Sequence, residues 1–120
     1  TADLVNQDRK TELDLLATAI AKMPPEVTIN IRGYTDNSSP AGYRNNYELA
    51  AARASNVMEY LMSRGVDPAR LSFTSYGQYN PIVPNTSEVN RRANNRVEVF
   101  FATTKTSVHE VQGVLEDMQQ

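Results

Sequence analysis

Val27, Ile29 and Ile31 alternate with Thr28, Asn30 and Arg32, the two-residue period of a strand with one buried face, and Gly33 is expected to end it. Residues 71–76 alternate in the same way before Gly77, and residues 96–102 form a third such run with Val97, Val99 and Phe101 on one side. Phe100 points to the opposite side, so the second face of the sheet is expected to be covered too. Elsewhere the period is helical. Leu13, Leu16, Ala17 and Ile20 mark a helix over residues 3–23, stopped by Pro24-Pro25, since proline lacks an amide donor and disfavours helix before it. Ala50, Ala54, Val57, Met58 and Leu61 mark a second over residues 46–64, with Asn45 or Asn46 as its N-cap and Gly65 as its stop. Thr86 or Ser87 is placed to cap a short helix over residues 88–93. Val108, Val111, Leu115 and Met118 recur at three and four residues on a last helix. Such a stripe docks on its own sheet or forms the seam of a dimer.

Helix, strand, helix, strand, short helix, strand and helix make an α/β sandwich (α+β in its segregated form), one small sheet with helices packed on it. The first strand-helix-strand unit is expected to be right-handed if its strands are parallel. The 120 residues suit a single domain with an N-terminal helix within 1–24, a core over 27–102 and a C-terminal helix over 106–120. Turn formers fill residues 37–42, and residues 78–85 are too broken by proline for a central strand.

Composition removes several classes of function. A formal charge of -2 gives no electrostatic case for nucleic acid, and the run Arg91-Arg92-Ala93-Asn94-Asn95-Arg96 lacks an aromatic platform. Cysteine is absent, and the single histidine, His109, has no metal-ligand cluster or nucleophile beside it. No glycine-rich phosphate loop is present. Asp36 and Glu48 are a weak candidate for paired glycosidase carboxylates, because nothing places them across a sugar ring. A binding domain is expected rather than an enzyme, with no cofactor and no metal. No apolar run approaches the roughly 20 residues that span a bilayer. The chain opens on Thr1 and carries no signal peptide, so it is expected to be a fragment of a longer protein.

The positive signal lies at Gly33-Tyr34-Thr35-Asp36-Asn37 and at Asn45-Asn46-Tyr47-Glu48-Leu49-Ala50-Ala51-Ala52-Arg53-Ala54. Asp36 falls just past a strand and Arg53 early in the following helix, so the two can converge where strand hands over to helix. A carboxylate takes an ammonium, and a guanidinium fork takes a carboxylate through two parallel bonds, which suits a zwitterion. The ordinary alternative is a surface ion pair worth about 0–1 kcal/mol.

These two stretches, with Tyr76-Gly77, Pro81-Ile82 and Asn94-Asn95-Arg96-Val97-Glu98, resemble the OmpA-like peptidoglycan-binding domain. The wording is most similar to the flagellar stator branch of that family, the MotB and PomB subunits. The resemblance implies a small mixed sheet packed with helices and a non-catalytic hold on the cell wall. Asp36 would contact the ammonium, and Arg53 the carboxylate, of diaminopimelate in the peptidoglycan stem peptide. Asn46 would add a hydrogen bond, Thr35 belongs to the same motif, and Asn94 and Arg96 would close the pocket from the last strand. It further implies a periplasmic, inner-membrane-anchored protein that is a homodimer and partners a MotA-like channel subunit through a part not in this sequence. An outer-membrane tether of the OmpA or Pal kind is the alternative, with an identical pocket. The chain departs from the family at Tyr34, Ala50 and Asn95, where His, Ser and Arg are common. Asn95 removes a charge from the pocket region.

Overall fold

The computed structural model describes residues 7–103. Three helices and three strands follow one another as α1 (Gln7–Ala21), β1 (Thr28–Tyr34), α2 (Asn46–Ser63), β2 (Leu71–Gly77), α3 (Glu88–Asn94) and β3 (Arg96–Ala102). A 3-10 turn, Pro68–Arg70, leads into β2. The expected last helix, with Val108, Val111, Leu115, Met118 and His109, lies outside the described residues, as does the start of the helix expected over 3–23.

The sheet order is β2-β1-β3, with β1 parallel to β2 and antiparallel to β3. This is the small mixed sheet that the resemblance implied. Strand β1 does not end at Gly33 but continues through Tyr34, which pairs with Gly77 across a register shift and with Arg96 on the other side. Alternation sorts the two faces. Ile29 and Ile31 are fully buried beneath both long helices, in one cluster with Leu13, Ala17 and Ile20 of α1 and Ala54, Val57 and Leu61 of α2. Asn45 caps α2 by accepting from the Glu48 amide, and Gly65 closes it with φ +94. Ser87 caps α3.

The helix that could cover the opposite face lies outside the described residues. Both core helices lie on the first face, and Phe100 stays 40% exposed. Among the described residues, long polar side chains of the sheet itself lie over this face: the Arg32 guanidinium lies 3.8 Å from the Phe100 ring centre, and Arg96 lies 3.8 Å from that of Tyr34. Tyr34 in turn stacks on Tyr76 at 5.2 Å. Cation–π contact lets a half-exposed face use arginine where a core uses leucine.

Two contacts fix the helices on the sheet. A Cβ added to Gly33 would sit 2.1 Å from the Ala50 carbonyl oxygen and 3.3 Å from the Ala54 methyl, so glycine and two alanines let α2 settle directly on the β1 backbone. At the far end, Arg70 donates from Nε to the Val27 carbonyl at 3.0 Å, from Nη2 to Pro24 at 3.1 Å and from Nη1 to Ile20 at 3.4 Å. One guanidinium thus satisfies carbonyls of the α1 terminus and of the turn after it.

Both contacts are testable by chemical denaturation. Gly33→Ala should cost about 3 kcal/mol or more, because the clash is with backbone; stability within about 0.5 kcal/mol of the parent, the range of surface changes, would refute that account. Arg70→Ala should cost about 2 kcal/mol, as charge-assisted bonds do, and Arg70→Lys should recover less than half, since an ammonium cannot span three carbonyls.

Candidate functional site

The close seating of α2 on β1 at Gly33 brings the loop after β1 beside the first turns of α2. Thr35 opens that loop, almost fully buried; its amide donates to the Gly77 carbonyl at 2.8 Å and its hydroxyl to the Asp36 carbonyl at 2.8 Å. The loop is thereby tied to the end of β2. Asp36 Oδ1 accepts from the Ser38 amide at 2.8 Å, an Asx turn that holds the carboxylate against its own backbone. Arg53 stands two turns into α2 and is only 7% exposed, a guanidinium brought into the protein rather than left in water.

Asn95, the C-cap of α3, joins the two. Its Nδ2 donates to Asp36 Oδ2 at 2.8 Å, while its Oδ1 accepts from the Asp36 amide at 2.9 Å and from Arg53 Nη1 at 2.9 Å. Asn46, the first residue of α2, ties in the remaining loop: its buried Nδ2 donates to the Ser38 carbonyl at 3.0 Å and to Gln78 Oε1 at 2.8 Å. Its Oδ1 is buried without a hydrogen-bond partner among the described residues. At the rim, Tyr47 and Tyr79 stand 5.4 Å apart and both are exposed. A cavity of about 270 Å³ lies behind Asn95, between α1, α2 and β3, with Arg9, Glu12, Leu13, Val57, Asn95 and Val97 in its walls.

Not every residue singled out in the sequence joins this cluster. Asp36, Arg53, Asn46 and Thr35 do. Asn94 is fully buried, but its side chain is turned the other way. It accepts from the Ile82 and Val83 amides and donates to the Val83 carbonyl and to Asn85 Oδ1, so its hydrogen-bonding capacity goes into the loop over residues 82–85. Arg96 lies on Tyr34, with Nε on Glu98 Oε2 at 2.6 Å and Nη2 on the Asn80 carbonyl at 3.1 Å. Its charge is answered on the outer face of the sheet. Ala50 is completely buried at the helix–strand contact. Asn95, next in the chain, bonds Asp36 and Arg53 and stands where the resemblance put Asn94 and Arg96. The Asn94-Asn95 doublet before β3 was the available signal.

The electrostatics follow from these contacts. Burial pushes the Asp36 carboxyl up, but the Ser38 amide, the Asn95 carboxamide, the Ser38 side chain and the Arg53 charge outweigh it, and the group titrates below the usual aspartate value. Burial draws Arg53 down from its ordinary value against the opposing pull of Asp36 and Tyr43, and a guanidinium so shifted stays charged at neutral pH. The cluster therefore presents one fixed negative and one fixed positive group. No group of three His, Cys, Asp or Glu side chains among the described residues is arranged to hold a metal.

Residues 1–96 match the OmpA family. The chain belongs to the OmpA family. As a member it is 45% identical over 119 residues to motility protein B of Helicobacter pylori strain J99, covering 98% of this chain and 46% of that protein. It thus spans about half the length of the curated relatives it matches. The crystallised C-terminal domain of H. pylori MotB (residues 125–256) superposes with a TM-score of 0.82 at 42% identity, covering 98% of this chain and 90% of that one. The peptidoglycan-associated lipoprotein of Burkholderia pseudomallei gives a TM-score of 0.73 at 26% identity, covering 82% of this chain and 80% of that one.

The Asp36 environment makes a prediction about acid. A carboxyl whose folded value is depressed contributes stability that is complete above its unfolded value and is lost as pH falls through the folded one. Asp36→Asn should therefore flatten the acid limb of the stability–pH profile. Carboxyl NMR should place the Asp36 midpoint below that of an unperturbed aspartate; a midpoint at or above it would contradict the geometry.

Proposed function

We propose that this OmpA-family domain is a non-catalytic anchor that grips the peptidoglycan stem peptide. Asp36 meets the ammonium and Arg53 the carboxylate of the diaminopimelate tip. The observation that carries this reading is the Asp36–Asn95–Arg53 cluster: one carboxylate and one buried guanidinium, held together at a strand-to-helix junction. Asn46 Oδ1, buried and without a hydrogen-bond partner among the described residues, stands at the same junction. Arg53 is suited to the carboxylate because its planar fork makes two parallel bonds. Thr35 acts by fixing the loop that carries Asp36, and Asn94 and Arg96 act from the walls, through the 82–85 loop and Tyr34.

The likeness to motility protein B favours a stator role over other uses of the same pocket. In that role the domain lies in the periplasm and the rest of the protein anchors it to the inner membrane beside a MotA-like channel subunit. The wall then supplies the fixed point against which torque is exerted. A single zwitterion site binds weakly, because charges give up solvation and few atoms are buried. A homodimer on a polymeric wall gains strength through effective concentration. The likeness to a peptidoglycan-associated lipoprotein supports the alternative of an outer-membrane tether with the same site chemistry.

Sedimentation of the domain with isolated sacculi is the test. Losing one member of a desolvated charge pair costs about 2–5 kcal/mol, so Arg53→Ala should abolish retention. Arg53→Lys should fail nearly as badly for want of the fork, while circular dichroism shows the fold intact. Undiminished sedimentation of either folded variant would remove Arg53 from the site.

A further inference from the structure

We propose that Asn95 is the positioning residue of this site: its carboxamide sets the separation of Asp36 from Arg53 and fixes the carboxylate so that a ligand meets it already oriented. The inference rests on the reading of Asp36 and Arg53 as the two ends of a zwitterion site. Three bonds define the arrangement. Oδ1 accepts from the Asp36 amide and from Arg53 Nη1, each at 2.9 Å, and Nδ2 donates to Asp36 Oδ2 at 2.8 Å. The amide has one orientation only, since the reverse would set its oxygen against a carboxylate and its N–H groups against two donors. Asp36 is therefore clasped at both backbone and side chain. Its carboxylate cannot swing without breaking a short bond.

The consequence concerns what the two charges do before a ligand arrives. An aspartate and an arginine free to close on each other form a bidentate pair that satisfies both, and a ligand must then break it. Here a neutral amide stands between them, bonded to each. The carboxylate has capacity for about four bonds; the Ser38 amide is on one oxygen and Asn95 Nδ2 on the other, with the Ser38 side chain also acting on the group. Asn95 also adds no charge, so the cluster holds one negative and one positive group, the same complement as an amino-acid terminus. On its other side Asn95 borders the cavity walled by Arg9, Glu12, Leu13 and Val57 and is only half-buried, so truncating it leaves the apolar core in place.

Carboxyl NMR of the 120-residue chain, followed by titration with free diaminopimelate, tests the proposal. In Asn95→Ala the Asp36 midpoint should rise toward the ordinary aspartate value, because a hydrogen bond to the charged form is lost, and the diaminopimelate dissociation constant should rise at least about tenfold. Thermal melting reports whether the fold survives. Should Asn95→Ala unfold, the isosteric Asn95→Asp takes its place, with a larger rise in the Asp36 midpoint expected because two carboxylates then face each other. A merely structural role would lower the melting temperature and leave the Asp36 midpoint where it was. That result overturns the proposal, as does unchanged affinity with a moved midpoint. Wild-type protein that takes up no diaminopimelate sinks the zwitterion reading and the proposal together, whereas wild-type binding with unmoved Asn95→Ala affinity sinks the proposal alone.

Discussion

Everything at the site depends on how closely α2 can approach the middle strand. The hydrogen atom at Gly33 leaves the Ala50 carbonyl where any other side chain would have to be, and the Ala54 methyl fills the next position along the helix. Small residues on both sides turn a helix-on-sheet contact into backbone-on-backbone contact. That contact seats the first turns of α2 beside the loop leaving β1, and with them the buried Arg53 beside Asp36. A wider spacing would leave the same residues in the chain but put the guanidinium beyond reach of Asn95. The geometry of the charged cluster is downstream of sterics.

Burial then changes what the charges are worth. A guanidinium that is 7% exposed has lost most of its water, and its surroundings answer it with the Asn95 carbonyl and the field of Asp36. An ion pair in full solvent would be worth little and would be screened by salt. With the guanidinium withdrawn from solvent, the carboxylate partly so and an amide between them, the same two charges keep a stronger local field. The arginines on the outer face show the contrast. Arg32 and Arg96 spend their cations on aromatic rings and, for Arg96, on Glu98, so they complete the sheet surface rather than leaving charge available.

Much of this was legible in the residues themselves. Alternation at Val27 to Ile31 found the central strand, and the run from Arg96 found β3 to the residue. Asn45 and Ser87 were recognisable caps because their short side chains reach an amide three residues on. Asp36 and Arg53 stood out because a carboxylate after a strand and an arginine early in the next helix are set by local periodicity. What stayed hidden depended on distance in the chain. Nothing local shows that Arg70 reaches back to Ile20, Pro24 and Val27, or that of two neighbouring asparagines Asn94 faces the 82–85 loop and Asn95 the site. That choice is made by the angle at which α3 ends, with Asn95 extended at ψ 91, and no periodic pattern encodes it. The Arg32–Phe100 contact was hidden for a related reason: it joins side chains of adjacent strands that lie far apart in the chain.

The bonds from Asn95 reach back 59 residues to Asp36 and 42 to Arg53, so they join the two ends of the core. Closing so long a loop is entropically late, after the local helices and the parallel β1–β2 pairing have something to build on. A nascent or half-assembled chain therefore has a carboxylate and a guanidinium but no fixed distance between them. The cluster reaches its final geometry only when the last strand docks, so its assembly reports that the core has finished folding.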